Sequence, residues 1–352
     1  MEYHKGRGAQ LNTSNRFSQA NISHDHIEGI DEEMQISSQT QIFYDTPKKL
    51  INTIESPDLY AMRSVNPYQG CEHGCIYCYA RNSHEYWGFS AGIDFENKIV
   101  VKQNAAKLLE QEFLQKNYQP ASISLSGNTD CYQPLERKLE ITRSLLKVFV
   151  KYAHPVNIIT KNSLLKRDID LLQELARQQL VHVYISVTTL DEELRQKMEP
   201  RTATSKNRLQ TIRILSDAGI PVGVMAAPLV PGLNHTEIPA ILKEAAAHGA
   251  ITAGYTVVRL NGAIKEIFYD WLQKNFPDRA AKVWNLIREM HGGQVNDSHF
   301  GRRMTGEGPI ADMIKQLFSV SRHKYMKENQ MPAYNYSLFR RGGNLNLFEN
   351  YV

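Results

Sequence analysis

Residues 66–81 read Asn-Pro-Tyr-Gln-Gly-Cys-Glu-His-Gly-Cys-Ile-Tyr-Cys-Tyr-Ala-Arg. Three of the chain's four cysteines, Cys71, Cys75 and Cys78, fall in this stretch with the spacing C-x3-C-x2-C. Three thiolates on one short loop can wrap a single metal centre, and Gly70 and Gly74 permit the tight backbone that such a wrap needs. Three ligands are one short of the four of a closed zinc or iron–sulfur site. The incomplete shell leaves an open coordination position, which is where metal sites do chemistry. A structural zinc would want a fourth Cys or His in paired spacing. His73 lies too close to its neighbours to join the wrap without strain and is expected to face solvent.

Working outward, the loop follows the first of six apolar, β-branched-rich runs, at 61–66, 122–126, 156–160, 181–187, 221–226 and 254–259. Segments with helical spacing separate them, at 103–116, 136–152, 167–179, 206–218 and 236–248. This alternation predicts parallel βαβ units with right-handed crossovers, and both a doubly wound sheet and a barrel satisfy it. In either fold the functional residues gather just past the carboxyl ends of the strands. Those positions hold Asn66 to Gly70, Gly127 to Asp130, Lys161-Asn162, Thr188-Thr189, Pro228 and Asn261-Gly262. The cysteine loop therefore falls on the functional rim. After residue 260 the pattern turns helical, at 263–274, 278–290 and 309–328. The expected organisation is a poorly ordered lead-in over 1–45, an α/β body over 46–265, a helical extension over 266–330 and a flexible tail over 331–352.

A chain of 352 residues can bury a large core without disulfides, so four cysteines are not a disulfide framework. No apolar run is long enough for a membrane span, and the first residues have no apolar signal region, so a cytoplasmic location is expected. In a reducing compartment, clustered thiols read as metal or redox groups. The net charge of +4 is uneven: residues 1–50 carry five Lys/Arg and seven Asp/Glu, whereas residues 299–352 carry eight and four. The basic end includes Arg302-Arg303, Arg322 to Tyr325 and Arg340-Arg341. It reads either as a solvated tail or as a surface for a polyanion such as DNA or RNA.

C-x3-C-x2-C with an aromatic, Tyr77, directly before the last cysteine resembles the signature of the radical S-adenosylmethionine (radical SAM) superfamily, over roughly residues 58–265. The resemblance implies an α/β partial (β/α)6 barrel, TIM-barrel-like, with the helical extension and basic tail appended. It also implies a [4Fe–4S] cluster held by Cys71, Cys75 and Cys78, with S-adenosyl-L-methionine chelating the fourth iron. An electron from a flavodoxin- or ferredoxin-type donor would cleave that cofactor to a 5′-deoxyadenosyl radical, which abstracts hydrogen from a substrate; this chemistry belongs to the cofactor. Carried over residue by residue, Ser126, Gly127, Asn128 and Thr129 occupy the place of the glycine-rich segment that meets the methionine amino group, though they depart from the usual Gly-Gly-Glu. Lys161 and Arg201, the latter in Met-Glu-Pro-Arg-Thr, are candidates for the methionine carboxylate. Ser186, at the end of the fourth strand, is a candidate for ribose, and Tyr77 sits beside the cluster.

Longer stretches, among them YCYARNSHEYWG, SGNTDCYQPLERKLEITR and SHFGRRMTGEGP, are similar to the bacterial family related to spore photoproduct lyase, often labelled DNA repair photolyase. There the resemblance extends over residues 40–330. The lyase reverses a thymine dimer lesion, using a cysteine near the cluster as hydrogen donor and a tyrosine as partner. Cys131 is the candidate for such a catalytic donor, although an isolated cysteine is usually a small buried hydrophobe. In the tail, Asn344-Leu345-Asn346-Leu347-Phe348 resembles the bacterial motif Gln-Leu-x-Leu-Phe, by which repair and replication proteins dock on the sliding clamp. The expected function is a radical SAM enzyme acting on nucleic acid, in the manner of a lesion lyase. The alternatives are the same radical chemistry on a peptide or metabolite, and a non-catalytic, metal-stabilised module that binds nucleic acid or the clamp.

Overall fold

In the computed structural model each of the six apolar runs becomes a strand, and each new strand pairs parallel to the one before it. Residues 4–17, 39–58, 63–326 and 330–342 are described. The strands are β1 (Gln41–Asp45), β2 (Asn52–Thr53), β3 (Arg63–Val65), β4 (Tyr68–Gln69), β5 (Lys98–Lys102), β6 (Ile123–Leu125), β7 (Val156–Thr160), β8 (Val181–Ser186), β9 (Val222–Leu229) and β10 (Thr252–Val257). The main sheet runs β10-β9-β8-β7-β6-β3-β2. It is parallel from β3 to β10, with β2 antiparallel on its edge. A doubly wound sheet would reverse its strand order at a switch point. This order never reverses, and β10 does not pair back to β3, so the wall is that of an open, partial (β/α)6 barrel.

The strands alternate as a barrel wall requires. Val156 and Ile158 of β7, and Val181, Val183 and Ile185 of β8, join the core with Leu145, Phe149, Leu172 and Leu175 of the surrounding helices. The intervening residues face the other way. The register sets Ser64, Ser124, Asn157 and His182 side by side across four strands. Closed barrels fill this inner face with bulky branched side chains; here it is small and polar. Gly223 lies opposite Tyr184, and a Cβ there would come 2.8 Å from the Tyr184 ring.

Three parts differ from the sequence expectation. First, the lead-in is not irregular where it is described: β1 pairs parallel with β5, β4 pairs antiparallel with β5, and residues 4–17 dock beside the cysteine loop. Paired strands of two to five residues carry too little alternation to be read from sequence. Second, a nine-residue 3-10 helix, Tyr79–Trp87, follows the cysteines directly. Third, the tail is anchored up to residue 342. The Tyr334 ring stacks on His182 at 3.9 Å, His182 bonds the Pro332 carbonyl at 2.8 Å, and Phe339 packs on Phe113, Tyr118 and His154. These contacts stopper the end of the barrel opposite the cysteine loop. The clamp-like motif at Asn344 to Phe348 lies outside the described residues. Helices Ile264–Asn275 and Pro277–Met290 share a second core with Ala9, Cys75, Ile76 and Tyr77. Among the described residues no helix is long and apolar enough to cross a membrane.

One fully buried ion pair ties the helix after β8 to the rim. Arg208 gives Nη2 to Glu199 Oε2 at 2.5 Å, Nη1 to the Ser186 carbonyl at 3.0 Å and Nε to the Ala203 carbonyl at 2.8 Å. Glu199 also accepts from Thr188 Oγ1 at 2.6 Å and from the Tyr77 hydroxyl. Burial pushes the Glu199 carboxyl up, but Arg208 and Lys161 outweigh it and hold the group at about 2, below its ordinary 4.5. Its ionised form therefore contributes fully above pH 4.5, and that contribution is lost as pH falls through about 2. Arg208→Met strands the carboxylate and should cost about 3–5 kcal/mol, read from the urea midpoint at neutral pH. The deficit relative to wild type should shrink as the pH is lowered.

Candidate active site

The cysteine loop is pinned at several points. Cys71 N donates to the Phe95 carbonyl at 2.8 Å, Ile76 N to the Met198 carbonyl at 3.0 Å and Cys78 N to the Cys75 carbonyl at 3.3 Å. Gly70 and Gly74 take φ of +78° and +68°, a region costly to residues with a side chain. All three thiols are free; Cys71 and Cys75 are buried and Cys78 is half-buried. Burial pushes the Cys75 thiol up to about 12, with Lys161 pulling the other way. A thiol so desolvated ionises when a cation takes up its charge. The donor set fits a [4Fe–4S] group with Cys71, Cys75 and Cys78 as its holders.

Beneath the loop lies a second fully buried pair. Arg81 Nη2 meets Glu96 Oε1 at 2.5 Å, and its remaining donors go to the carbonyls of Cys75, Ala91 and Gly92. Beside the loop, Asp130 accepts from Thr160 Oγ1 at 2.8 Å, from Lys161 N at 2.9 Å and from Tyr132 N at 2.9 Å. His73 Nδ1 stands 3.4 Å from the same carboxylate. Burial opposes the Asp130 charge, yet His73 and these amides hold the carboxyl at about 2. The expectation that His73 faces solvent is wrong: it is 1% exposed, between Asp130 and the Asn162 amide at 3.1 Å. The tight turn that keeps it from ligating aims it inward, at a carboxylate on the neighbouring rim.

The other candidates divide. Lys161 lies at the rim, its ammonium 5.9 Å from the Tyr77 ring centre. Burial disfavours its charge, but Cys75 and Glu199 outweigh that and raise its pKa. Tyr77 is buried beside Cys75, its hydroxyl on Glu199. Arg201 is 3.8 Å from Glu72, with its backbone N–H on the His73 carbonyl, and Ala203 N two residues on bonds the Lys161 carbonyl at 3.3 Å. Asn128 bridges to Ser83 Oγ at 2.9 Å and Gln69 Oε1 at 3.2 Å, and the Gly127 carbonyl accepts from the Tyr79 hydroxyl. Ser126 and Thr129 are turned inward instead: Ser126, at φ +79°, caps Cys131 N at 2.7 Å, and Thr129 donates to the Tyr68 carbonyl at 2.6 Å. Ser186 is 2% exposed beneath the rim, with Arg208 on its carbonyl. Cys131 follows Asp130 at the rim but does not reach the surface. It is fully buried in the main core, and burial beside Asp130 pushes its thiol well up.

The sequence reading placed Asp130 on the rim without giving it a role, and missed Glu199, Asn82 and Arg259. Asn82 clasps the loop after β10, donating to the Asn261 carbonyl at 2.9 Å and accepting from Ala263 N at 3.2 Å. Arg259 is half-buried beside Tyr79 and is disfavoured as a cation first by burial and then by Arg303. Asp130 and Arg259 follow strands, which does not say which polar residue turns inward; Glu199, at the end of a helix, and Asn82, within the 3-10 helix, carried no such signal.

The profile of the radical SAM superfamily matches residues 65–245. The chain belongs to that superfamily. It is thus a radical SAM enzyme, and the family's cofactors are a [4Fe–4S] cluster and S-adenosylmethionine. An uncharacterized protein of Mycobacterium tuberculosis is 33% identical over 244 residues, 68% of this chain and 72% of that protein. A radical SAM Nα-GlyT isomerase of Pseudomonas phage M6 is 26% identical over 239 residues, 65% of this chain and 46% of that protein. Spore photoproduct lyase complexed with dinucleoside spore photoproduct superposes with a TM-score of 0.61 at 13% identity, covering 87% of this chain and 86% of that one. At that identity the likeness is one of fold. Anaerobic reconstitution should give about four irons and about four sulfides per chain, with broad visible absorbance. Cys75→Ala should lose most of both, as measured by iron and sulfide assay.

Proposed function

We propose that this radical SAM enzyme acts on a nucleic acid, on a base presented to the rim from a single strand or from an opened duplex. The observation that carries the reading is the crowding of Arg259 and Arg303 beside the half-exposed Tyr79. Two guanidinium groups held close repel each other, and a phosphate between them relieves the repulsion. Arg303 is anchored on Asp58 at 2.5 Å and lies over the exposed Phe300 ring at 4.4 Å. Arg259 makes no hydrogen bond or ion pair among the described residues and is the cation left for a ligand. Tyr79 and Phe300 offer faces on which bases stack, so charge and aromatic surface alternate at one edge of the rim.

The bound cofactors would supply a reductive cleavage and a hydrogen abstraction; this chain's residues bind, orient and exclude water. Cys71, Cys75 and Cys78 would hold the cluster. Lys161 or Arg201 would bind the carboxylate of S-adenosylmethionine, and Asn128 would meet its amino end. The relatives are consistent with this substrate class: one solved neighbour is a lyase complexed with a dinucleoside photoproduct, and one relative is a phage GlyT isomerase. Lesion-lyase chemistry, a flavodoxin- or ferredoxin-type electron donor and clamp docking through Asn344 to Phe348 extend the same proposal.

A single-stranded oligonucleotide should bind with a steep salt dependence. Arg259→Ala should reduce the slope of log K against log salt by about 0.7, one phosphate contact. Phe300→Ala should weaken binding roughly fivefold or more if a base stacks there. Titration at several salt concentrations checks both. Salt-independent binding that neither variant changes, with 5′-deoxyadenosine release unaffected by any oligonucleotide, would move the substrate to a peptide or metabolite.

A further inference from the structure

The segment at residues 7–17 lies along the cysteine loop and the stretch 85–96 that follows it. The contact begins at the loop itself. Gly8 N donates to Glu96 Oε2 at 3.0 Å, Ala9 N donates to Glu96 Oε1 at 2.8 Å, and Arg7 Nη1 donates to the Glu96 carbonyl at 2.7 Å. Glu96 is the carboxylate that Arg81 meets from the other side, and Arg81 holds the Cys75 carbonyl. The chain of contacts therefore runs from the N-terminal segment through Glu96 and Arg81 to a cluster-holding cysteine.

Backbone meets backbone at the same place. A Cβ on Gly8 would come within 1.8 Å of the Gly74 carbonyl oxygen, and one on Gly74 within 2.9 Å of Glu96 Oε2. Gly74 sits between Cys71 and Cys75, so the segment presses directly on the loop that presents the thiols. Ala9 is fully buried in one core with Cys75, Ile76 and Tyr77. The segment continues past this point as a zip: Ile93 N bonds the Leu11 carbonyl at 3.2 Å, Asp94 N bonds Asn12 Oδ1 at 3.1 Å, and Asn15 Nδ2 bonds the Glu85 carbonyl at 2.8 Å. Gly92 allows the close approach, since a Cβ there would meet the Leu11 carbonyl at 2.0 Å. Among the described residues the strands of the main sheet pair with one another and not with this segment.

We infer that residues 7–12 form a latch that fixes the cysteine loop in its ligating shape and seals the cluster from solvent on that side, with Gly8 as the positioning residue. Gly8 acts through the loop; it touches no reacting atom. The inference rests on the cluster assignment and is independent of the substrate. By reciprocity, if docking of the latch favours cluster retention, then loading the cluster favours docking of the latch by the same factor. Supporting groups around metal ligands change retention by roughly 10–100-fold when lost.

Two measurements on the full chain test it. In the reconstituted protein, Gly8→Ala should release iron to a chelator roughly tenfold faster than wild type and shift the electron paramagnetic resonance of the reduced cluster. Thermal unfolding should show a larger deficit of the variant against wild type in the cluster-loaded protein than in the cluster-free one. In wild type, amide hydrogen exchange over residues 7–10 should slow when the cluster is loaded. Iron release at the wild-type rate overturns the latch, and so does equal protection with and without cluster. If Gly8→Ala does not fold, the wild-type exchange comparison decides alone.

Discussion

A guanidinium and a carboxylate, both withdrawn from water, hold the shape on which the rest depends. Arg81 and Glu96 are each fully buried, and the arginine spends its donors on Glu96 and on the carbonyls of Cys75, Ala91 and Gly92. A buried pair of this kind is weak evidence for stability, because desolvation offsets much of the attraction. Its use is specificity. Those carbonyls have no regular secondary structure to satisfy them, and an arginine's planar fork reaches several at once where a lysine would reach one. A loop of nine residues carrying three thiols thereby acquires one conformation in place of many.

The second buried pair, Glu199 with Arg208, does the corresponding work on the opposite side. It joins the Tyr77 hydroxyl, the Thr188 side chain and the Ser186 carbonyl into one unit. The cysteine loop is thus clamped between two ionic centres, each on an element that the barrel fixes. A polar row, Ser64, Ser124, Asn157 and His182, crosses the inner face, and the wall takes its rigidity from the apolar outer face.

Much of this was legible in the sequence. The spacing of Cys71, Cys75 and Cys78 gave the centre, because thiols that close have few other uses in a reducing compartment. The six apolar runs gave the wall, and each falls within a few residues of a strand. The small sheet of β1, β4 and β5 was not legible, since its strands are short and pair across distant parts of the chain. His73 was misplaced because whether one polar side chain faces in or out depends on contacts that no local pattern encodes. Glu199 shows the limit most clearly. It stands two residues from Arg201, in a stretch singled out for the arginine, yet the glutamate is the residue that the fold buries and pairs.

The stacking of Tyr334 on His182, with Phe339 wedged against Phe113 and His154, closes the barrel's lower end with the chain's own last described residues. A vessel stoppered below has limited doorways. With that end filled by its own chain, the inner wall opens toward the cysteine loop, so a tail far from the chemistry sets the side from which the wall is reached.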